Sequence, residues 1–146
     1  PTHMPDAFEA GTLNLPGIIG LNEGLSYIES VGMKNIHNHE LTLTKTFLEG
    51  LRSITGINII GKQDIQDRTA VVSITIDGMD PASIAYELES TYHIMTRVGL
   101  HCAPRAHQTL GTYPEGTVRF SFGYANTLEE VDMALSALHT ILKNTK

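Results

Sequence analysis

The spacing of apolar residues changes along the chain, and this change limits the folds that the sequence can adopt. Apolar residues recur at helical spacing between positions 18 and 28 and again between about 35 and 55. After Gly56, β-branched residues dominate the segments 57–60 and 71–76, as is typical of strands. Helices and short strands that mix without regular alternation predict an α+β fold.

Local signals place the boundaries of the predicted elements. The predicted order is α-α-β-β-α-β-β-α, with helices packed on a short antiparallel or mixed sheet. Helix boundaries follow from residues that cap or interrupt a helix. These signals are Pro16 and Gly32 at the ends of the first helix, Gly56 after the second, Asp80–Pro81 before the third, strand patterns over 94–98 and 117–122, and a Thr127–Glu130 capping box before the last helix.

Length, composition and charge restrict the class of protein. A chain of 146 residues with 41% apolar residues fits a single domain, residues 1–146, with a core of its own. The net charge of −6 argues against nucleic-acid binding, which needs clustered basic residues. No apolar run approaches the roughly 20 residues of a membrane helix, so no membrane partner is expected. The single cysteine and the lack of a signal-peptide pattern predict a cytoplasmic protein, and the first residue, Pro1, suggests a fragment of a longer one.

The segment between Gly99 and Gly116 is predicted to be a long loop, and it contains Cys102. Loops of this length in small domains often carry function. Nearby cations stabilise a thiolate, and Arg97 and His101 lie close to Cys102 in sequence, so a reactive thiol is one interpretation. The alternative is a small buried side chain. No metal site is predicted, because the histidines and the cysteine of this segment lack the paired spacing of zinc ligands.

Two further segments could bind anions. Arg119 alternates with apolar residues on the predicted strand 117–122, so it either lies on a solvent face or offers a planar fork to a carboxylate. Gly11 and Thr12 precede the first helix, where backbone N–H groups can bind a phosphate. The alternative is that Thr12 or Asn14 only caps that helix.

Three motifs, in order, resemble the C-terminal part of the class V aminotransferase family, particularly the cysteine desulfurases and selenocysteine lyases. The family pattern F-E-A-G-T-x-N is matched by residues 8–14, and R-x-G-x-x-C-A is matched by residues 97–103. The pattern V-R-x-S, followed by N-T-x-E-E-[VI]-D, is matched by residues 118–121 and 126–132. Together the motifs cover nearly the whole chain.

This resemblance implies a role for each candidate residue. The intact enzyme would be a homodimer of fold-type I that depends on pyridoxal phosphate, and this chain would be its small C-terminal domain. Cys102 would take the sulfur of L-cysteine as a persulfide while alanine leaves. Arg119 would hold the substrate carboxylate and Arg97 would line the same site, while Gly11 and Thr12 would reach the cofactor phosphate of the partner subunit.

The resemblance also implies that the chain alone is inactive. In the family, the lysine that forms the Schiff base follows a histidine in a large N-terminal domain, and no lysine here follows a histidine. The cofactor would therefore be bound mainly by that missing domain. A sulfur-acceptor protein is a possible partner. The alternatives are an aminotransferase or selenocysteine lyase of the same family, or a stand-alone binding module that carries a thiol.

Overall fold

A computed structural model describes residues 2–9 and 11–144. The chain divides into two compact units, one ending at Ile36 and the other beginning at His37. A short 3-10 turn at Asp6–Phe8 precedes the first helix. The helices are α1 (Leu15–Val31), α2 (Met33–Arg52), α3 (Pro81–Tyr92), α4 (Pro104–Leu110) and α5 (Leu128–Asn144), and the strands are β1 (Ile57–Ile60), β2 (Val71–Ile76), β3 (Arg97–Gly99) and β4 (Thr117–Ser121).

Helix α1 forms most of the first unit, and its ends are those predicted. The Asn14 side chain accepts a hydrogen bond of 3.1 Å from the Gly17 N–H and so caps the helix. Pro16 lies in the first turn, where its missing N–H costs nothing. Gly32 has a φ of +88°, a left-handed value that suits glycine, and its N–H donates to the Ile28 carbonyl. Within α1, all of whose residues are described, none is buried.

The second unit contains a four-stranded sheet in the order β1-β2-β4-β3, with every neighbouring pair antiparallel. Side chains of a strand alternate between the two faces. Val72, Ile74 and Ile76 are buried on one face of β2, and Val118 and Phe120 are buried on the same face of β4. Ser73 and Arg119 share the opposite face. The predicted α+β class is confirmed, and of the two predicted kinds of sheet, antiparallel or mixed, the structure has the antiparallel one.

The core of the second unit joins that apolar face to three helices. Burial of this set removes apolar surface from water, which is the main force that holds the unit together. Tilted ring contacts between Phe47 and Phe120, with centroids 4.9 Å apart, add to it. The helical members of the core are Leu43, Phe47, Leu48 and Leu51 of α2, Ile84 and Leu88 of α3, and Val131, Ala134, Ala137, Leu138 and Ile141 of α5.

Helix α5 begins at the predicted capping box. The Thr127 N–H donates to Glu130 Oε2 over 3.1 Å, and the Glu130 N–H donates to Thr127 Oγ1 over 3.3 Å. The Asn126 side-chain amide also donates to Glu130 Oε2, and this bond, followed by the one from the Thr127 N–H, lowers the pKa of the Glu130 carboxyl below its usual value. Among the described residues, no helix is both long and apolar enough to cross a bilayer.

The predicted element order lacks one helix, and one predicted strand has different bounds. The segment between Gly99 and Gly116 contains the helix α4 and is not a continuous loop. At seven residues it is too short to show an apolar period, and only Pro104 in its first turn could have signalled it. The strand predicted over 94–98 begins later in the structure, where β3 spans Arg97–Gly99. The Ile94 N–H donates to the Leu88 carbonyl and so completes the end of α3 instead of joining the sheet.

Candidate active site

The strands β3 and β4 place two arginines directly opposite each other. In the antiparallel register Arg97 pairs with Arg119, and Gly99 pairs with Thr117. Side chains of directly opposed residues lie about 4.5–5.5 Å apart at Cβ, and like charges in this arrangement repel. The pair therefore favours an anion that both guanidinium groups can contact.

The environment of Arg119 also favours an anionic ligand. Its side chain is half-buried on the face of the sheet opposite the core, next to Ser73 of β2. Among the described residues, its Nε atom is buried and has no hydrogen-bond partner. A buried charged donor without a partner is costly, and a bound carboxylate would supply the missing acceptor.

The segment that carries Cys102 leaves the sheet and returns to it at one point. Gly99 and Gly116 lie in contact at its base, where a Cβ atom on Gly116 would lie 2.3 Å from the carbonyl carbon of Gly99. Gly99 has a φ of +96° and Gly116 a φ of +82°, values that L side chains rarely adopt. The base of the segment is therefore closed tightly beside the arginine pair.

Cys102 lies in a turn of unusual backbone conformation. His101 has a φ of +51° and Cys102 a φ of +59°. Two successive residues other than glycine in the left-handed region are uncommon, and each costs roughly 1–2 kcal/mol. A hydrogen bond of 2.8 Å from the Ala103 N–H to the Leu100 carbonyl closes the turn. The thiol is exposed at its tip, so the alternative of a small buried cysteine is wrong.

His101 connects this turn to the arginine pair. Its Nε2 lies 3.3 Å from the carbonyl oxygen of Arg97, and because a carbonyl only accepts, Nε2 carries the hydrogen. Partial burial lowers the pKa of His101, and the charges of Arg119, His107 and Arg97 lower it further. His101 is therefore a neutral ring at neutral pH, and the positive charge of the site comes from the arginines.

Sequence reasoning considered His107 only as a metal ligand and missed its position. His107 is buried at the end of α4, with its Nδ1 2.7 Å from the Thr112 hydroxyl. Its ring is nearly parallel to that of His101, with centroids 5.8 Å apart. Within residues 2–9 and 11–144, no group of three or more His, Cys, Asp or Glu side chains could hold a metal ion. No sequence signal distinguishes this buried histidine from an exposed one.

The predicted phosphate-binding residues lie in the first unit. Gly11 has a φ of +83°, and a Cβ atom there would meet nothing within 4 Å. Thr12 is exposed, and both residues precede the start of α1. An open turn before a helix is compatible with binding a phosphate, and capping of the helix by Asn14 does not occupy Thr12. Ala10 of the same motif lies outside the described residues.

Comparison with known proteins assigns the family. The family model for aminotransferase class-V matches residues 2–134, and the chain belongs to this family. A probable cysteine desulfurase from Methanothermobacter thermautotrophicus is 38% identical over 139 residues, which cover 94% of this chain and 34% of that protein. One from Pyrococcus abyssi is 37% identical over 145 residues, covering 99% of this chain and 35% of that protein.

Solved structures agree with this assignment. The apo structure of a cysteine desulfurase from Thermococcus onnurineus matches with a TM-score of 0.90 and 38% identity, covering 98% of this chain and 35% of that one. A cysteine desulfurase from Escherichia coli, in an S-sulfonic acid form, matches with a TM-score of 0.83 and 27% identity, covering 95% of this chain and 33% of that one. The chain thus spans about a third of the length of these relatives. The predicted family and fold class are confirmed.

Proposed function

We propose that this chain is the small domain of a cysteine desulfurase that moves sulfur from L-cysteine to Cys102 as a persulfide and releases alanine. One observation carries the proposal: the opposed pair Arg97 and Arg119 lies at the base of the segment that presents the Cys102 thiol. An anion site next to an exposed thiol is what an enzyme needs to hold an amino acid and attack its side chain. The desulfurase relatives support the same activity.

Arg119 is proposed to hold the substrate carboxylate. A guanidinium can donate two parallel hydrogen bonds to a carboxylate, and the buried Nε of Arg119 has the acceptor it lacks once the substrate binds. Arg97 lies directly opposite on β3 and adds a second positive charge to the site. Two contacts on one carboxylate orient the amino acid, so that its side chain has a defined direction relative to Cys102.

The proposed sulfur transfer balances without an external oxidant. The Cys102 thiolate attacks the substrate sulfur, an S–S bond forms, and the C–S bond of the substrate breaks. The electron pair of the broken bond stays on the carbon fragment, which takes up a proton and leaves as alanine. Cys102 keeps the sulfur as a persulfide, which we expect a sulfur-acceptor protein to receive.

The residues of the first unit fit the phosphate of the family's cofactor. Gly11 and Thr12 are proposed to hold the phosphate of pyridoxal phosphate across a homodimer interface, since their turn is open and exposed. When bound, the cofactor supplies an electron sink for the substrate carbons. The family's Schiff-base lysine follows a histidine, and no lysine of this chain does so. We therefore expect the chain alone to be inactive, and the complete cytoplasmic protein to be active.

The test uses the complete protein that contains this chain, supplied with pyridoxal phosphate and L-cysteine. We expect alanine to be released, and Cys102 to gain the mass of one sulfur atom in a peptide mass spectrum. The variant Cys102→Ser should lose both products. Alanine release by Cys102→Ser at the wild-type rate would remove Cys102 from the reaction. Formation of a keto acid from an amino donor, with no alanine released from cysteine, would instead identify an aminotransferase.

A further inference from the structure

His107 is a buried titratable side chain that the proposed chemistry leaves without a role. It is 7% exposed, and its Nδ1 lies 2.7 Å from the hydroxyl of Thr112, which is also buried. The Thr112 backbone N–H also donates to the His107 carbonyl over 2.9 Å. Two hydrogen bonds between the same residues fix the imidazole at the end of α4.

The other side of this ring faces the turn that carries Cys102. The His107 ring stacks on the His101 ring at an interplanar angle of 17°. His101 in turn reaches the Arg97 carbonyl on β3 through Nε2. The ring of His101 is therefore held between β3 and α4, and it belongs to the residue that precedes Cys102 in the left-handed turn.

We propose that His107 is a positioning residue for the Cys102 thiol. His107 is held by its hydrogen bond to Thr112 and packs against the His101 ring. This contact keeps the turn at His101 and Cys102 in its left-handed conformation, which is unfavourable without support. The relevance of this to catalysis rests on the proposed function, in which Cys102 accepts sulfur. The positioning itself is a property of this chain and can be measured without the reaction.

Two observations distinguish this role from ordinary core packing. First, the His107 side chain makes two specific contacts, the hydrogen bond to the Thr112 hydroxyl and the stacking on the His101 ring. Second, the groups that lower the pKa of His101 come from each element around it: Arg119 from β4, His107 from α4 and Arg97 from β3. Together with partial burial they keep His101 neutral, so the two rings stack without charge repulsion between them.

The test compares four variants of the full 146-residue chain. His107→Phe keeps a ring but removes the hydrogen bond to Thr112, and Thr112→Val removes the hydroxyl at nearly constant shape. Thr112→Ser keeps the hydroxyl and removes only the methyl group. His139→Phe makes the same chemical change at an exposed position on α5 and is the control. The measurements are the rate at which iodoacetamide alkylates Cys102, the NMR titration of the His101 ring and the melting temperature.

We expect His107→Phe and Thr112→Val to shift the alkylation rate about fivefold towards the rate of the denatured chain. His107→Phe should also raise the pKa of His101, because the His107 imidazole is one of the neighbours that lower it. Thr112→Ser and His139→Phe should match the wild type in both respects. If His107 and Thr112 served only core packing, the variants would have lower melting temperatures, and Thr112→Ser would not keep the wild-type alkylation rate.

Two results would overturn the proposal. One is a wild-type alkylation rate and His101 titration in both His107→Phe and Thr112→Val. The other is an equal change in Thr112→Ser and Thr112→Val, which would tie the effect to loss of packing. If the variants behave as expected but the complete protein releases no alanine from L-cysteine, the positioning role stands and the proposed function fails.

Discussion

Strand alternation places Arg119 on the face of the sheet opposite the core, where the hydrogen bonding of its Nε is incomplete among the described residues. Its strand neighbours Val118 and Phe120 enter the core, so alternation along β4 puts Arg119 on the opposite face. There it meets Arg97 and keeps a buried Nε without a partner among the described residues. Because its side chain lies outside the core, its substitution should weaken binding of the proposed carboxylate ligand more than it lowers the free energy of unfolding.

The first prediction concerns Arg119→Lys in the complete protein. Lysine keeps the charge but lacks the planar fork, so the substrate carboxylate loses one oriented hydrogen bond. Loss of a charge-assisted bond costs about 1.5–3 kcal/mol, which corresponds to roughly ten- to more than a hundredfold in kcat/KM for L-cysteine. The melting temperature should stay within a degree or so of the wild type. Arg105→Lys, on the exposed face of α4, is the matched control; an unchanged kcat/KM for Arg119→Lys would contradict the assignment.

The second prediction concerns the pH dependence of stability. Burial, followed by the charges of Arg119, His107 and Arg97, lowers the pKa of His101 from its ordinary value of 6.5. As the pH falls through 6.5, the unfolded chain therefore binds this proton before the folded chain does, and the free energy of unfolding decreases. His101→Gln should remove this part of the pH dependence in urea titrations, whereas His139→Gln should not. Equal slopes for wild type and His101→Gln between pH 5 and 7 would show that His101 does not contribute.

At the scale of elements, the segment between β3 and β4 depends on the contact at its base. Gly99 and Gly116 approach so closely that a side chain on Gly116 would overlap the Gly99 backbone. This contact returns the chain to β4 in the register that opposes Arg97 and Arg119. The same segment contains Gly111, which also has a positive φ but is open to solvent where a Cβ would lie.

The third prediction compares Gly116→Ala with Gly111→Ala in this chain. Both substitutions impose an L side chain on a left-handed backbone, at a cost of roughly 1–2 kcal/mol. Only Gly116→Ala adds a Cβ at 2.3 Å from the Gly99 carbonyl carbon, so it should destabilise the chain more than Gly111→Ala in urea unfolding. It should also change the alkylation rate of Cys102, since the base of the segment must open. Equal losses of stability in the two variants would mean that the contact at the base is not essential.

At the scale of the whole molecule, apolar surface is distributed unevenly between the two units. The second unit buries its apolar residues among α2, α3, α5 and the sheet. In α1 of the first unit, by contrast, Ile18 is 50%, Leu21 66% and Leu25 53% exposed. A contiguous apolar helix face of this kind is rare on soluble monomers and binds other apolar surfaces.

The fourth prediction follows from this exposed helix. The 146-residue chain should bind a hydrophobic dye, and the double variant Leu21→Lys, Leu25→Lys should lower the dye fluorescence. Its far-UV melting curve should keep the main transition, because neither residue belongs to the described core. The control places two lysines at exposed positions of the second unit, Tyr86→Lys and Met95→Lys. The same loss of fluorescence in the control would show that α1 is not the surface that binds the dye.

The sequence by itself determined the features that depend on neighbours along the chain. The ends of α1, the cap of α3 at Asp80 and the Thr127–Glu130 box at α5 follow from side chains that bond to backbone groups within a turn. The class of fold followed from the change of apolar period, and the family followed from three ordered motifs. Each of these signals depends on residues that are close together in the sequence, so it can be recognised without knowledge of the folded structure.

Only the tertiary structure decided which distant residues meet. The register that opposes Arg97 and Arg119 depends on two strands separated by the whole segment between Gly99 and Thr117, so no local preference specifies it. The burial of His107 and its stacking on His101 depend on α4, a helix too short to be recognised by its period. The shortening of β3 follows from a competing bond at the end of α3. Register, burial and competition between hydrogen-bond partners arise from non-local contacts, and these form only when the chain folds.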